Sequence, residues 1–284
     1  MFLYPALTYN EYKIKNKTLR VIGEYHLSPD FKLKPKDNAV LIKDFVLQKM
    51  DDRKNGVYLE VLPLFNTQDR IKFNKEKLNK YGSINIQDVA NSISNDDISS
   101  RVYGMDYRRL YTNPIHNRLQ DTIYSRNCMT IPPNYLVTLL ERIVNDMNEF
   151  KKAKWNNLPI PGIIQNMEKN IEKFGYILHI LKQVKKLNEI RSCDKMIKEL
   201  HKMLADVTDF FMLRDILSRD ETTVTILIGN EHAKQLNLSL SDNIIYPPSK
   251  NSPRYDKFRM MGLKVDQFGK NYDKNILIKG YTRL

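Results

Sequence analysis

Cysteine is scarce in this chain, with only Cys128 and Cys193 among 284 residues. The two are far apart and form no Cys-x-x-Cys. This argues against a disulfide framework and a zinc–thiolate site, and makes an intracellular, reducing setting the default expectation. Long apolar runs are also missing, and none approaches the roughly 20 residues of a membrane helix. The opening Met1-Phe2-Leu3-Tyr4-Pro5-Ala6-Leu7 has no basic stretch, and its apolar character stops at Tyr9-Asn10-Glu11, so no secretory signal is expected. Glycine is sparse too. There is no Gly-x-Gly-x-x-Gly, Walker loop or His-Glu-x-x-His, which leaves dinucleotide, phosphate-loop and zincin chemistry without a motif. The lack of Gly-x-Ser-x-Gly removes support for a serine nucleophile elbow.

What is present suits a globular core: 42% hydrophobic and 10% aromatic residues. The net charge of +13 has two readings. One is attraction to phosphate, nucleic acid or acidic membrane surfaces. The other is compositional, because Lys, Asn, Ile and Tyr are plentiful throughout, as in an AT-rich coding sequence. Basic residues cluster only at Lys151-Lys152-Ala153-Lys154 and at 182–186, whereas a dedicated nucleic-acid surface usually concentrates its charge.

The most informative feature is a doubled ending. Val21-Ile22-Gly23-Glu24-Tyr25-His26 and Leu227-Ile228-Gly229-Asn230-Glu231-His232 each run from apolar β-branched residues to Gly, with His three residues later. The runs at 19–22 and 222–228 read as buried strands. Each Gly is read as permitting a tight exit. Both His residues are thereby placed just past a strand's carboxyl end, the edge where open parallel sheets bind ligands. Between them, 37–50 has helical spacing, and Gly56-Val57-Tyr58-Leu59-Glu60-Val61-Leu62 reads as a strand closed by Pro63. Residues 67–81 and 86–94 read as helices, and 101–105 as a third short strand. From 134 to 220 the pattern becomes long helices, and 275–278 reads as an edge strand. The expected architecture is one α/β domain over 1–284, with a central, mainly parallel sheet flanked by helices and a helical insertion at 134–220 before the last core strand.

Polar residues of useful kinds fall at four strand ends: Glu24 and His26; Glu60, an acid in an otherwise apolar strand; Asp106 and Arg108; and Glu231 and His232. Two His and a carboxylate (His26, His232 and Glu60) form a ligand set for a divalent ion such as Mn, Co or Zn. Such an ion acidifies bound water for attack on a carbonyl. Glu24 or Glu231 is a candidate general base, and Arg108 or Arg214 a candidate oxyanion stabiliser. Each has a plainer reading: Asp106 with Arg108 as an ion pair, and Asp209 with Arg214 as helix anchoring. His116 opens a helix near the third strand. His179 and His201 sit in Lys-rich helical stretches, and Trp155 reads as packing.

These residues resemble the superfamily that contains the TIKI metalloproteases, the TraB proteins, the ChaN-like haem-associated lipoproteins and the erythromycin esterases. The likeness is carried by Gly23-Glu24-Tyr25-His26, the strand acid Glu60 and Gly229-Asn230-Glu231-His232. Asp209…Arg214 and Asp106-x-Arg108 are similar to uncharacterised members from large DNA viruses, whose AT-rich genomes match the composition. The resemblance implies an α/β fold with its site at these motifs, and a host-cytoplasm or virion location. The expected activity is hydrolysis of an ester or amide bond in a small molecule or peptide, assisted by a divalent metal, with Glu24, His26, Glu60, Arg108, Arg214 and His232 at the site. The competing expectation is a non-catalytic pocket for haem, another small molecule, or a host or virion factor. Nucleic-acid binding through the basic surface is a third.

Overall fold

A computed structural model describes residues 2–24, 39–61, 63–65, 71–73, 83–93, 100–112, 116–125, 128, 131–153, 155–240, 243–246 and 282–283. The strands are β1 (Phe2–Tyr4), β2 (Ala6–Ile14), β3 (Lys17–Glu24), β4 (Ala39–Leu41), β5 (Asn55–Leu59), β6 (Pro63–Phe65), β7 (Ile71–Phe73), β8 (Val102–Gly104), β9 (Thr223–Gly229), β10 (Ile244–Tyr246) and β11 (Thr282–Arg283). The helices are α1 (Ile42–Met50), α2 (Ile84–Ser92), α3 (Arg108–Thr112), α4 (His116–Ser125), α5 (Pro133–Lys152), α6 (Pro161–Leu181), α7 (Cys193–Ser218) and α8 (Asn230–Ser239). No helix among the described residues is long and apolar enough to cross a membrane.

The chain divides into two compact units, Met1–Met105 with Ser218–Leu284, and Asp106–Leu217. The second begins at Asp106, whereas the change of sequence pattern put the start of the helical insertion at 134.

In the first unit, a six-stranded sheet runs in the order β10-β2-β3-β9-β5-β8. The pairings β3–β9, β9–β5 and β5–β8 are parallel, while β10–β2 and β2–β3 are antiparallel. The fold is therefore α/β with a mainly parallel sheet flanked by helices, as the periodicity implied. β9 lies between β3 and β5, although it follows β5 by more than 160 residues in the chain. Its apolar run, Val-Thr-Ile-Leu-Ile, suits a strand buried on both faces. Its start is pinned by Lys17, whose Nζ donates to the Glu221 carbonyl at 2.7 Å. Arg219 adds a second anchor, stacking on Tyr103 at 3.7 Å and donating from Nε to the Tyr58 hydroxyl at 2.9 Å.

One sheet face carries the core, where Ile22, Val57, Leu59 and Leu227 pack with Ile42, Phe45, Val46 and Met50 of α1 and with Ile86, Val89 and Ala90 of α2. The other face receives α8 so closely that β3 must have glycine there. A Cβ on Gly23 would lie 2.7 Å from the Ala233 Cβ and would collide with the Thr8 hydroxyl. Gly229 is extended (φ −58°, ψ 143°), a conformation open to any residue. The tight-exit reading of the two glycines is thus corrected: Gly23 is required by close packing, and Gly229 shows no demand for positive φ.

Other expectations are also revised. Helix α1 starts at Ile42, because 39–41 pairs with β1 as a parallel strand. Within 67–81, Ile71–Phe73 is a strand paired with β6, not a helix. Its period is too brief to separate the two states. β5 ends at Leu59, so Glu60 follows the strand rather than lying inside it. The segment 275–278 lies outside the described residues, and the strand found near the C-terminus is β11.

The second unit is helical. α7 is its spine, burying Phe210, Phe211, Met212 and Leu213 in succession. Trp155 packs edge-on to Phe210 at 5.0 Å, in the core role expected of it. Cys128 and Cys193 form a disulfide, with Cα atoms 6.2 Å apart. This corrects the expectation drawn from their distant spacing, since 65 intervening residues say nothing about proximity after folding. Asp206 is buried beside Asp209, and desolvation, reinforced by that second acid, raises its pKa, with hydrogen bonds from Asn170 and Asn166 and the charge of Lys202 acting against the rise.

Two outcomes follow. Gly23→Ala is expected to cost about 1–3 kcal/mol through overpacking, read by urea unfolding. Because folding raises the Asp206 pKa, its contribution is fullest below the ordinary carboxylate range and declines as pH climbs through the window above it. Asp206→Asn should therefore raise Tm at pH 7, with the advantage shrinking as pH is lowered toward 4. A Tm difference that grows on acidification would contradict this assignment.

Candidate active site

The double pairing of β9 sets the site. Glu24 pairs with Gly229 in the β3–β9 ladder, and Leu59 with Leu227 in the β5–β9 ladder. The carboxyl ends of three strands are thereby level, with β3 and β5 each about 5 Å from β9 and so about 10 Å from one another.

Glu60 continues the β5–β9 ladder beyond the strand. Its backbone N–H donates to the Leu227 carbonyl at 3.2 Å, and its side-chain Oε2 accepts the Gly229 N–H at 2.6 Å. The carboxylate thus fills a place that a backbone carbonyl would take, and it lies at the start of α8, where the helix dipole favours negative charge. Its second oxygen, Oε1, is 3.7 Å from His232 Nε2, and the two side chains are only 6% and 8% exposed. His232 lies just past the end of β9, where the spacing placed it. It lies in the first turn of α8, which starts directly after Gly229. That turn is fixed in part by Thr8, whose hydroxyl donates to Asn230 Oδ1 at 3.1 Å. Glu231, the alternative base, points outward and pairs with Lys234 at 2.7 Å.

Glu24 is 1% exposed, and α2 engages its carboxylate. The Ser83 hydroxyl donates to Oε1, and Asn85 Nδ2 donates to Oε2 at 2.6 Å. Ser83 also caps α2 by accepting from the Ile86 N–H at 3.3 Å. This is how a carboxylate can be buried at low cost, since both oxygens keep donors. Ser83 and Asn85 were not singled out from sequence. A Ser just before an apolar-periodic stretch is a capping signal, and it moves the start of this helix from the 86 that periodicity alone gives to Ile84.

His26, the partner of His232 in the doubled motif, lies outside the described residues. Asp106, Arg108 and Arg214 belong to the second unit. Arg108 Nε donates to Asp106 Oδ1 at 2.8 Å, so these two form the ion pair given as their plainer reading. The Arg108 backbone N–H donates to Thr208. The Arg214 guanidinium stacks on Phe150 at 3.8 Å and on Phe211 at 5.1 Å. Asp209 is buried on the same helix. Gln120 shares a hydrogen bond with His201, and His179 lies exposed beside Gln183. The backbone of His116 opens α4.

Among the described residues no group of three or more His, Cys, Asp or Glu could hold a metal ion. Glu60 and His232 alone still meet a two-ligand spacing. Two atoms each about 2.1 Å from one ion lie at most about 4.2 Å apart, and these lie 3.7 Å apart.

No family model, curated protein or solved structure matches the chain.

The Ser83 network gives a direct check. Ser83→Ala removes both the α2 cap and a donor to a buried carboxylate, and should cost about 2–3 kcal/mol in denaturant unfolding. A cost below about 0.5 kcal/mol would mean that Glu24 does not depend on this hydroxyl.

Proposed function

We propose that this chain is a hydrolase of ester or amide bonds, with Glu60 and His232 as its reacting pair and kinship to the TIKI, TraB and erythromycin esterase superfamily. The observation that carries the reading is the placing of His232 Nε2 3.7 Å from a carboxylate whose other oxygen is held by the Gly229 N–H, at the level carboxyl ends of parallel strands. A buried acid fixed by a backbone donor sets the charge and orientation around one imidazole, as general acid–base chemistry requires. In this role His232 takes a proton from water while the water oxygen bonds to the substrate carbonyl carbon. The imidazolium is stabilised by Glu60 and returns the proton to the departing oxygen or nitrogen as the old bond breaks. Glu24 stands at the neighbouring strand end, where hydrogen bonds from Ser83 and Asn85 fix its orientation.

The spacing of Glu60 and His232 also suits two ligands of a divalent ion, and the doubled motif makes His26, which lies outside the described residues, the candidate for a third. Such an ion, when bound, lowers the pKa of water and polarises a carbonyl. Arg108 and Arg214 are engaged within the second unit, so the reading does not rest on them.

The test pairs turnover with metal content. His232→Ala and Glu60→Gln should each lower hydrolysis of p-nitrophenyl ester and peptide-anilide panels at least 100-fold, and should lower bound Mn, Co or Zn measured by elemental analysis of the native protein. Far-ultraviolet circular dichroism should remain unchanged. If both variants keep wild-type turnover and metal content, the reading is wrong.

A further inference from the structure

The turn between α6 and α7 concentrates unneutralised positive charge. From Lys182 to Lys198 the chain carries six basic residues against two acidic ones. Lys185, Lys186, Arg191, Lys195 and Lys198 are all exposed, and none makes an ion pair with a described residue. The other basic cluster behaves differently, because Lys151 pairs with Glu168 at 3.2 Å and Lys152 with Glu149 at 2.6 Å. Charge patterning along the sequence does not separate the two clusters, but their ion pairing does.

The turn is also held in shape. Leu187 is buried under it, and the Glu189 carboxylate accepts the backbone N–H groups of Lys185 and Lys186 at 3.2 and 3.1 Å. Ser192 adopts a positive φ of 60°, and its carbonyl accepts from Lys195 and Met196 as α7 begins. Cys193 is tied to Cys128. The five cations therefore stand on a backbone whose ordering does not have to be repeated on binding.

The preceding helix carries an exposed aromatic ring. Tyr176 on α6 is 68% exposed, the most exposed aromatic among the described residues. α6 and α7 run antiparallel, linked by Lys173–Glu199 at 2.7 Å and by the buried Asn170–Asp206 hydrogen bond at 2.8 Å. That register puts Tyr176 level with the first turns of α7, which carry Lys195 and Lys198. A cationic track beside an exposed ring is the pattern that binds unpaired bases, with the ring stacking on a base while the cations follow the phosphates. At the turn Leu187 is buried and Val184 and Ile190 are half-buried, so no large aliphatic side chain stands fully out to enter a bilayer.

We propose that the α6–α7 turn is a docking surface for single-stranded nucleic acid, contacted through Lys185, Lys186, Arg191, Lys195, Lys198 and Tyr176. It lies outside the proposed hydrolytic pair and does not depend on that reading.

The test is fluorescence anisotropy of the full chain with a labelled 20-nucleotide oligothymidine, a duplex of equal length, and vesicles of phosphatidylcholine and phosphatidylserine. Five phosphate contacts predict a slope of log affinity against log salt of about −3.5 for the single strand. Lys185→Ala/Lys186→Ala/Lys195→Ala should flatten it by about 2 and weaken binding at least tenfold at 50 mM salt. Tyr176→Ala should weaken single-strand binding by roughly 5- to 150-fold, the usual worth of one base stack, with less than a twofold effect on the duplex. Lys151→Ala/Lys152→Ala should change neither by more than twofold. All these positions are exposed, and Tm confirms that each variant is folded. The proposal is overturned if the wild type does not bind the single strand, if the triple variant binds within twofold of wild type, if Tyr176→Ala leaves single-strand binding unchanged, or if the vesicles are bound in preference to the oligonucleotide.

Discussion

Strand β9 hydrogen-bonds to β3 on one side and to β5 on the other, and this double pairing levels chain segments from 17–24, 55–59 and 223–229. Each neighbour alone would fix one register. Together they leave β9 no freedom to slip, because a one-residue shift would turn a fully buried apolar strand's packing inside out. Glu24, Glu60 and Gly229 inherit their positions from this constraint. His232 inherits its position one step further on, through the helix that starts where β9 stops.

The approach of α8 to the sheet is a second constraint, subordinate to the first. Ala233 and Thr8 occupy the space beside Gly23, so α8 sits closer to β3 than any side chain there would allow. The same helix carries His232 in its first turn, 3.7 Å from the Glu60 carboxylate. Packing on one face of the sheet and polar chemistry at its end are thus joined by a single helix.

Sequence patterns revealed the parallel core because strands buried on both faces are continuous β-branched apolar runs, and 222–228 and 56–59 are of that kind. They also led to Glu60 and His232, since an acid at the end of such a run and a His after Gly stand out from their surroundings. Other features depend on contacts that no local pattern encodes. The alternation in 6–14 is blurred by Leu7, Thr8 and Asn10, which hid the antiparallel strand β2. The need for Gly23 comes from residues some 15 before and 210 after it in sequence. Ser83 and Asn85 matter only because α2 packs where β3 ends, and Cys128 meets Cys193 only once the helices of the second unit are assembled.

The place of β9 in the sheet bears on how the polypeptide is made. Its two partners leave the ribosome long before it does, and 106–217 must follow before the joining strand emerges. Until then β3 and β5 present unpaired backbone edges of the kind that recruit foreign strands. A nascent chain stalled or cut anywhere before residue 223 keeps those edges open, so closure of the sheet, and escape from aggregation, waits on the synthesis of β9.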